Sequence, residues 1–258
     1  MRPTGLKLAV AGDPVAHSLS PAMQTAALEL AGISGTYGLA PCDADGFRSL
    51  IDSLRRGELD GLNVTMPHKS LAYELCDRAT HEASRARSVN TVGREEEEVV
   101  GHSTDVVAFA DIFGRPEATD LPIVVYGSGG SARAAIAAAP DTVHVVARNA
   151  RSLATLRAEL GDSIESSGRP VDGFLLVNCT PVGMKGESLS PDLLDAAMAL
   201  VDLPYASGDT PAASVARQRG LWVVDGLEFL ALQAAASFSW WTGVDVPIGT
   251  MVAAARNA

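Results

Sequence analysis

Short apolar runs alternate along the chain with segments of helical spacing. Lys7–Ala11 reads as a strand, and Ser20-Pro21 opens a helix through about Ala31, with Ser20 as N-cap and proline in the first turn. Thr36–Ala40 reads as a second strand, Phe47–Arg56 has helical spacing, Gly61–Thr65 is a third strand, and Pro67 starts a helix through about Cys76. Val89–Val92 and Val99-Val100 flank four glutamates, Glu95–Glu98, which read as a solvated hairpin tip. Strand–helix alternation of this kind predicts a mostly parallel, covered sheet.

The amphipathic stretch Asp105–Phe113 can link two domains, and Gly114–Leu121 has the composition of a connector. A second series follows: strands at Ile123–Tyr126, Val143–Ala147, Phe174–Val177, Leu200–Leu203 and Trp222–Asp225, with helices from Ser131 and over Leu153–Leu160, Leu227–Trp241 and Ile248–Arg256. The fold class expected is therefore α/β in two domains. An N-terminal α/β substrate domain comprises residues 1–104 plus 226–258, and a Rossmann-type dinucleotide-binding domain comprises 105–225, with a cleft between them.

Composition narrows the function classes. Of 258 residues, 47% are apolar and 20% charged, the balance of a globular protein. Twenty Lys+Arg against 31 Asp+Glu give a net charge of −11, which argues against nucleic acid or an anionic membrane as the main partner. No apolar run reaches membrane-spanning length, and the N-terminus lacks the pattern of a signal peptide, so a cytoplasmic protein is expected. Cys42, Cys76 and Cys179 are isolated, so neither a disulfide framework nor a metal site is expected, only three mostly buried thiols.

The clearest local chemistry lies in Val124-Val125-Tyr126-Gly127-Ser128-Gly129-Gly130-Ser131-Ala132. An apolar strand ends in glycines and an alanine-rich helix follows, the context of a dinucleotide site. Gly127 allows the tight turn and Gly129 a close approach to pyrophosphate. Gly130, Ser131 and Ala132 permit close helix packing, and the helix N-terminus offers free N–H groups. At the end of the next strand, Ala147-Arg148-Asn149-Ala150-Arg151 has no carboxylate for a ribose 2′-hydroxyl. Arg148 can instead meet a 2′-phosphate, which favours NADP over NAD.

Further motifs fall in a fixed order. They are Gly12-Asp13-Pro14-Val15-Ala16-His17-Ser18-Leu19-Ser20-Pro21, Asn63-Val64-Thr65-Met66-Pro67-His68-Lys69, Ser88-Val89-Asn90-Thr91-Val92 and Gly101-His102-Ser103-Thr104-Asp105. After the glycine turn come Asn178-Cys179-Thr180-Pro181-Val182-Gly183-Met184 and Gly226-Leu227-Glu228-Phe229-Leu230-Ala231-Leu232-Gln233. Over nearly its whole length the chain resembles the shikimate dehydrogenase family. The resemblance implies a reversible NADP-dependent reduction of 3-dehydroshikimate to shikimate, in chorismate and aromatic amino-acid biosynthesis. It implies that Ser18 and Ser20 hold the substrate carboxylate, that Thr65, Asn90 and Gln233 bond ring hydroxyls, that Tyr205 lies on the substrate side, and that Lys69 and Asp105 form the catalytic pair. Ser128, Asn149, Thr180 and Gly226, which stand in or beside the same motifs, complete the cofactor set. A monomer or homodimer is expected.

The residues themselves agree with that reading. A small polyol with one carboxylate needs neutral hydrogen-bonding side chains and one proton acceptor. The chain has three lysines, at 7, 69 and 185, among its 20 basic residues. Lysine can cycle a proton near neutral pH and arginine cannot, which singles out Lys69. The sequence departs from the family at Ser103, where Asn is usual, at Gln24-Thr25, at Phe229, where Met is usual, and at Ala206-Ser207-Gly208. These departures leave open a relative acting on quinate or an aminoshikimate, and the fold alone leaves open a non-catalytic ligand-binding paralogue.

Overall fold

The computed structural model describes residues 5–165, 173–205 and 208–258. Two units follow from its internal packing: Met1–Val107 with Leu230–Ala258, and Ala108–Phe229.

The first unit begins with β1 (Leu6–Gly12), α1 (Ser20–Ala31), β2 (Gly35–Pro41), α2 (Ala44–Arg55), β3 (Gly61–Val64) and α3 (Lys69–Leu75). It continues with β4 (Arg78–Ala79), α4 (His81–Ala86), β5 (Thr91–Glu95), β6 (Glu98–His102) and the start of α5 (Thr104–Phe113). Its sheet runs β2-β1-β3-β5-β6-β4. β1 pairs parallel with β2 and β3, and β4 with β6, while β3–β5 and β5–β6 are antiparallel. The β5–β6 pair is a hairpin: Glu96 takes a left-handed φ of 53° between the strands, and the glutamates stand at its tip. Phe47, Ile51 and Leu54 recur at helical spacing on α2 and are buried against Leu62, Val64, Val89 and Val92. Asp43 caps that helix by accepting from the Gly46 amide at 2.9 Å.

The second unit holds β7 (Ile123–Tyr126), α6 (Gly130–Ala138), β8 (His144–Val146), α7 (Ala150–Leu160), β9 (Phe174–Asn178), α8 (Pro191–Ala196), β10 (Ala197–Asp202), α9 (Pro211–Gln218) and β11 (Trp222–Asp225). The sheet order is β11-β10-β9-β7-β8, and every pairing is parallel. The central strand β9 is buried at all five positions, which is why Phe-Leu-Leu-Val reads as an unbroken apolar run. The chain leaves this unit within α10 (Gly226–Thr242) and ends with α11 (Ile248–Arg256).

Two local readings are corrected. Ser20 is the first helical residue, not the cap: Leu19 already has helical dihedrals, and the Ser20 amide donates to Ser18 Oγ at 3.3 Å. The short elements β4, α4, α8 and α9 lie outside the set expected from sequence. The three cysteines are only partly buried. Burial nevertheless pushes the Cys76 thiol up to about 12, so it stays protonated.

Candidate active site

Each unit places its functional motifs at a topological switch point. In the first sheet the chain goes from β1 outward to β2 and then crosses to β3 on the other side. The carboxyl ends of β1 and β3 therefore lie side by side, with Ala11 in register with Val64. Ligands of open α/β sheets bind where such strand ends diverge. Gly12 has no side chain because Thr65 occupies the space: a Cβ there would stand 2.3 Å from Thr65 Cγ2. The loop after β1 presents Ser18 and Ser20, and the turn after β3 presents Thr65 and Lys69.

Lys69 is the first residue of α3, and its Nζ donates to Asp105 Oδ2 at 2.6 Å. The side chains are 15% and 4% exposed, so the pair is shielded from bulk water yet reachable on the lysine side. Asp105 lies in the first turn of α5, where a carboxylate suits the helix dipole. Its other oxygen, Oδ1, accepts from Asn90 Nδ2 at 2.9 Å. That same nitrogen faces Thr104 Oγ1 at 2.9 Å and Gln233 Oε1 at 3.2 Å. Two amide hydrogens thus face three acceptors, and the Gln233 oxygen is the most distant of them. Asn90 Oδ1 accepts from the Thr104 amide at 2.7 Å, which fixes the direction of the Asn90 side chain.

Behind this layer sits a network not singled out in sequence. Asn63 Nδ2 donates to Ser237 Oγ at 2.9 Å and to Thr91 Oγ1 at 3.1 Å, and Asn63 Oδ1 accepts from the Tyr37 hydroxyl at 2.7 Å. Ser237 Oγ also lies 2.8 Å from Thr91 Oγ1 and 3.0 Å from Thr104 Oγ1, and it donates to the Gln233 carbonyl at 2.9 Å. One signal was available: Ser237 follows Gln233 by four residues, so both project from the same face of α10. Burial and hydrogen bonding together make these groups rigid supports for Asn90 and Thr104.

Of the sequence-predicted set, Ser18, Ser20, Thr65, Lys69, Asn90, Asp105 and Gln233 all belong to the first unit, and Asn90 joins Asp105 directly to Gln233. Tyr205 belongs to the second unit, where it is half-buried and its hydroxyl is pushed up by burial. Of the departures, Gln24 is buried and donates to the Ala234 carbonyl at 2.9 Å, and the Ser103 carbonyl accepts from the Val106 amide at 3.2 Å. Phe229 packs on Phe109 with ring centroids 4.6 Å apart. Ala206 and Ser207 lie outside the described residues.

The second sheet repeats the switch. From β7 the chain moves to β8 on one side and then to β9 on the other, with Tyr126 in register with both Val146 and Asn178. Gly127 has φ 132°, and a Cβ there would press on the Cys179 carbonyl and Thr180 Cγ2 at 3.2 Å. Gly129 is the N-cap of α6 and faces open space at its Cβ position, so a ligand can approach its backbone. Gly130, Ser131 and Ala132 form the first turn of α6, next to Ser128 in the loop. A nine-residue helix with an open glycine N-terminus fits a pyrophosphate. Arg148 is exposed past β8 and forms no ion pair among the described residues, so its guanidinium is available to a 2′-phosphate. Asn149 caps α7 by accepting from the Ser152 amide at 3.1 Å. Thr180 donates its hydroxyl to Asn178 Oδ1 at 2.7 Å and accepts from the Val182 amide, so its hydroxyl hydrogen is engaged within the loop. A Cβ on Gly226 would stand 2.3 Å from the Leu203 carbonyl, so only glycine fits where α10 begins against the loop after β10.

The chain is similar to known proteins in sequence and in structure. Residues 10–92 match the shikimate dehydrogenase substrate binding domain, and residues 226–256 match the shikimate 5′-dehydrogenase C-terminal domain. A shikimate dehydrogenase (NADP(+)) of Exiguobacterium sibiricum is 35% identical, covering 96% of this chain and 97% of its own. The Prochlorococcus marinus enzyme of the same name is 33% identical over 97% of this chain and 96% of its own. The crystal structure of shikimate 5-dehydrogenase from Thermus thermophilus, in complex with NADP(H) and shikimate, superposes with a TM-score of 0.86 at 35% identity, covering 98% of this chain and 99% of that one. Identity at this level over essentially full length, with both family domains matched, means that the chain belongs to the shikimate dehydrogenase family.

Proposed function

We propose that this protein interconverts shikimate and 3-dehydroshikimate with NADP as hydride carrier, using Lys69 as the proton-transfer residue and Asp105 as its orienting partner. The observation that carries the assignment is the shielded Lys69–Asp105 pair at 2.6 Å, joined through Asn90 to Gln233. Ser18 and Ser20, at the start of α1, receive the carboxylate. Thr65, Asn90 and Gln233 bond the ring hydroxyls, and the Gln233 amide oxygen is the acceptor most easily released to a ligand. Tyr205 contributes from the substrate side.

In oxidation, Lys69 Nζ takes the proton of the reacting hydroxyl; in reduction it returns a proton to the forming alcohol. Asp105, itself bonded by Asn90, holds the nitrogen in place throughout. Bound NADP supplies the nicotinamide that accepts or gives the hydride at the same carbon. The chain's part on that side is to hold it: Gly127, Ser128, Gly129, Gly130, Ser131 and Ala132 around the pyrophosphate, Arg148 with Asn149 at the 2′-phosphate, and Thr180 and Gly226 shaping the loops. Its hydroxyl hydrogen being engaged, Thr180 contributes its methyl group and backbone.

No helix among the described residues is long and apolar enough to cross a membrane. We place the protein in the cytoplasm as a monomer or homodimer, with small molecules and not nucleic acid as its partners. The test is reduction of NADP⁺ followed at 340 nm with shikimate, with quinate and with no polyol. Turnover with shikimate well above quinate is expected; turnover with quinate alone would move the substrate assignment within the family, and none with either would end the reading.

A further inference from the structure

One buried carboxylate has no part in the proposed chemistry. Asp202 ends β10, is 1% exposed and forms no salt bridge among the described residues. Burial pushes its carboxyl up from the usual range, so keeping it there is unfavourable unless its bonding does something a neutral residue would not. Its Oδ1 accepts from Asn178 Nδ2 at 2.7 Å, and its Oδ2 accepts from the Thr210 hydroxyl.

The Asn178 side chain is fully engaged. Its nitrogen donates to Asp202 and, at 3.0 Å, to the Val182 carbonyl. Its oxygen accepts from the Thr180 amide at 3.1 Å and the Thr180 hydroxyl at 2.7 Å. Turning this amide over would put oxygen against the Asp202 carboxylate and nitrogen against the Thr180 donors. Asp202, at 2.7 Å the nearer of two groups that only accept (the other is the Val182 carbonyl), and the Thr180 amide, which only donates, together fix the amide's direction. Thr180 and the Cys179 carbonyl are the atoms that a Cβ on Gly127 would meet, so this loop forms the wall of the glycine turn.

We infer that Asp202 is a positioning residue for the dinucleotide: it sets the Asn178 amide, and through it the Cys179–Thr180 wall against which the Gly127 turn is shaped. This rests on the reading that the glycine turn holds NADP. Asp202 bonds Asn178 and Thr210 and is not among the residues assigned to the substrate or the proton transfer. It acts through two neighbours, and its effect belongs to cofactor binding.

The experiment is fluorescence titration of the full-length chain with NADPH, comparing wild type, Asp202→Ala and Asp202→Asn, with steady-state constants for both substrates. In Asp202→Asn the side-chain oxygen can still accept from Asn178, and the nitrogen can donate to Thr210, whose hydroxyl turns round. Asp202→Ala is expected to weaken NADPH binding about tenfold, the size of effect when a buried polar group loses its partner. KM for NADP⁺ should rise similarly, with KM for shikimate unchanged and kcat at saturating NADP⁺ within about threefold. Asp202→Asn should recover most of the affinity. Wild-type NADPH affinity in Asp202→Ala, equal weakening by both variants, or a parallel rise in shikimate KM would each overturn the inference. If Asp202→Ala does not fold, Asp202→Ser keeps an oxygen in the site but is too short to reach Asn178, and the same outcomes decide. A wild-type chain that does not bind NADPH would instead remove the cofactor reading, and this inference with it.

Discussion

The two switch points solve the same geometric problem with different materials. At both, a strand ends in a glycine whose missing Cβ admits the loop of the adjacent strand: Thr65 against Gly12 in the first sheet, Cys179 and Thr180 against Gly127 in the second. Beyond the glycine they diverge. The first is furnished with charged, amide and hydroxyl-bearing side chains, of which Lys69, Asp105 and Asn63 are held by partners far away in sequence. The second offers mainly backbone at the start of α6, and the polar side chains of Asn178 and Thr180 are engaged in shaping the loop beside it. A proton-transfer site needs a group of definite charge at a definite position, which takes side chains and their supports. A pyrophosphate needs only N–H groups and room to approach, which bare backbone supplies.

This contrast predicts separable defects. The largest is at Lys69. Lys69→Ala should reduce turnover with shikimate by about 10²–10⁴-fold, the usual contribution of general acid–base catalysis, while NADPH titration stays near wild type. Lys69→Arg should fare little better, since it keeps charge but cannot release a proton. Near-native turnover of the arginine variant with an unchanged pH profile would reduce Lys69 to a positive anchor and erase the distinction drawn between the two sites.

A smaller effect is expected at Arg148. Losing an exposed charge-assisted hydrogen bond to a 2′-phosphate should raise KM for NADP⁺ about tenfold in Arg148→Ala. KM for NAD⁺ and for shikimate should hardly move. Equal changes for the two dinucleotides would show that the arginine does not read the phosphate.

The smallest effect concerns the acid tolerance of the first unit. His102 is mostly buried between Thr80 and Trp240, and burial holds its imidazole below the ordinary value of 6.5, the nearby Glu82 only partly opposing this. The unfolded chain therefore takes up this proton more readily than the folded one, so stability falls as pH drops through and below about 6.5. Urea unfolding at pH 7.5 and 5.5 should show a smaller acid loss in His102→Gln than in wild type, even if the variant is less stable at both. An identical pH difference in the two proteins would remove His102 as the cause.

Much of this was legible before any coordinates. The apolar runs at Ile123–Tyr126 and Phe174–Val177, the glycines after the first of them, and Lys69 among so few lysines all follow from local rules. Burial on both faces makes a parallel strand continuously apolar, a tight turn at positive φ selects glycine, and proton cycling selects lysine over arginine. Ser20 stands inside the helix although the sequence Ser-Pro suits either the cap or the first helical position. The dihedrals of Leu19 decided the matter.

Local sequence specifies the elements whose signals lie within a few residues and the residue types that the chemistry demands. Packing in three dimensions sets which acceptors Asn90 must share, that Asn63, Ser237 and Tyr37 stand behind it, and that Asp202 holds the amide of Asn178. Partners such as Asn63 and Ser237 are 174 residues apart in the chain. A hydrogen bond depends on ångström-scale distance and angle, and no local periodicity specifies those for groups that meet only when the sheet and its helices have packed.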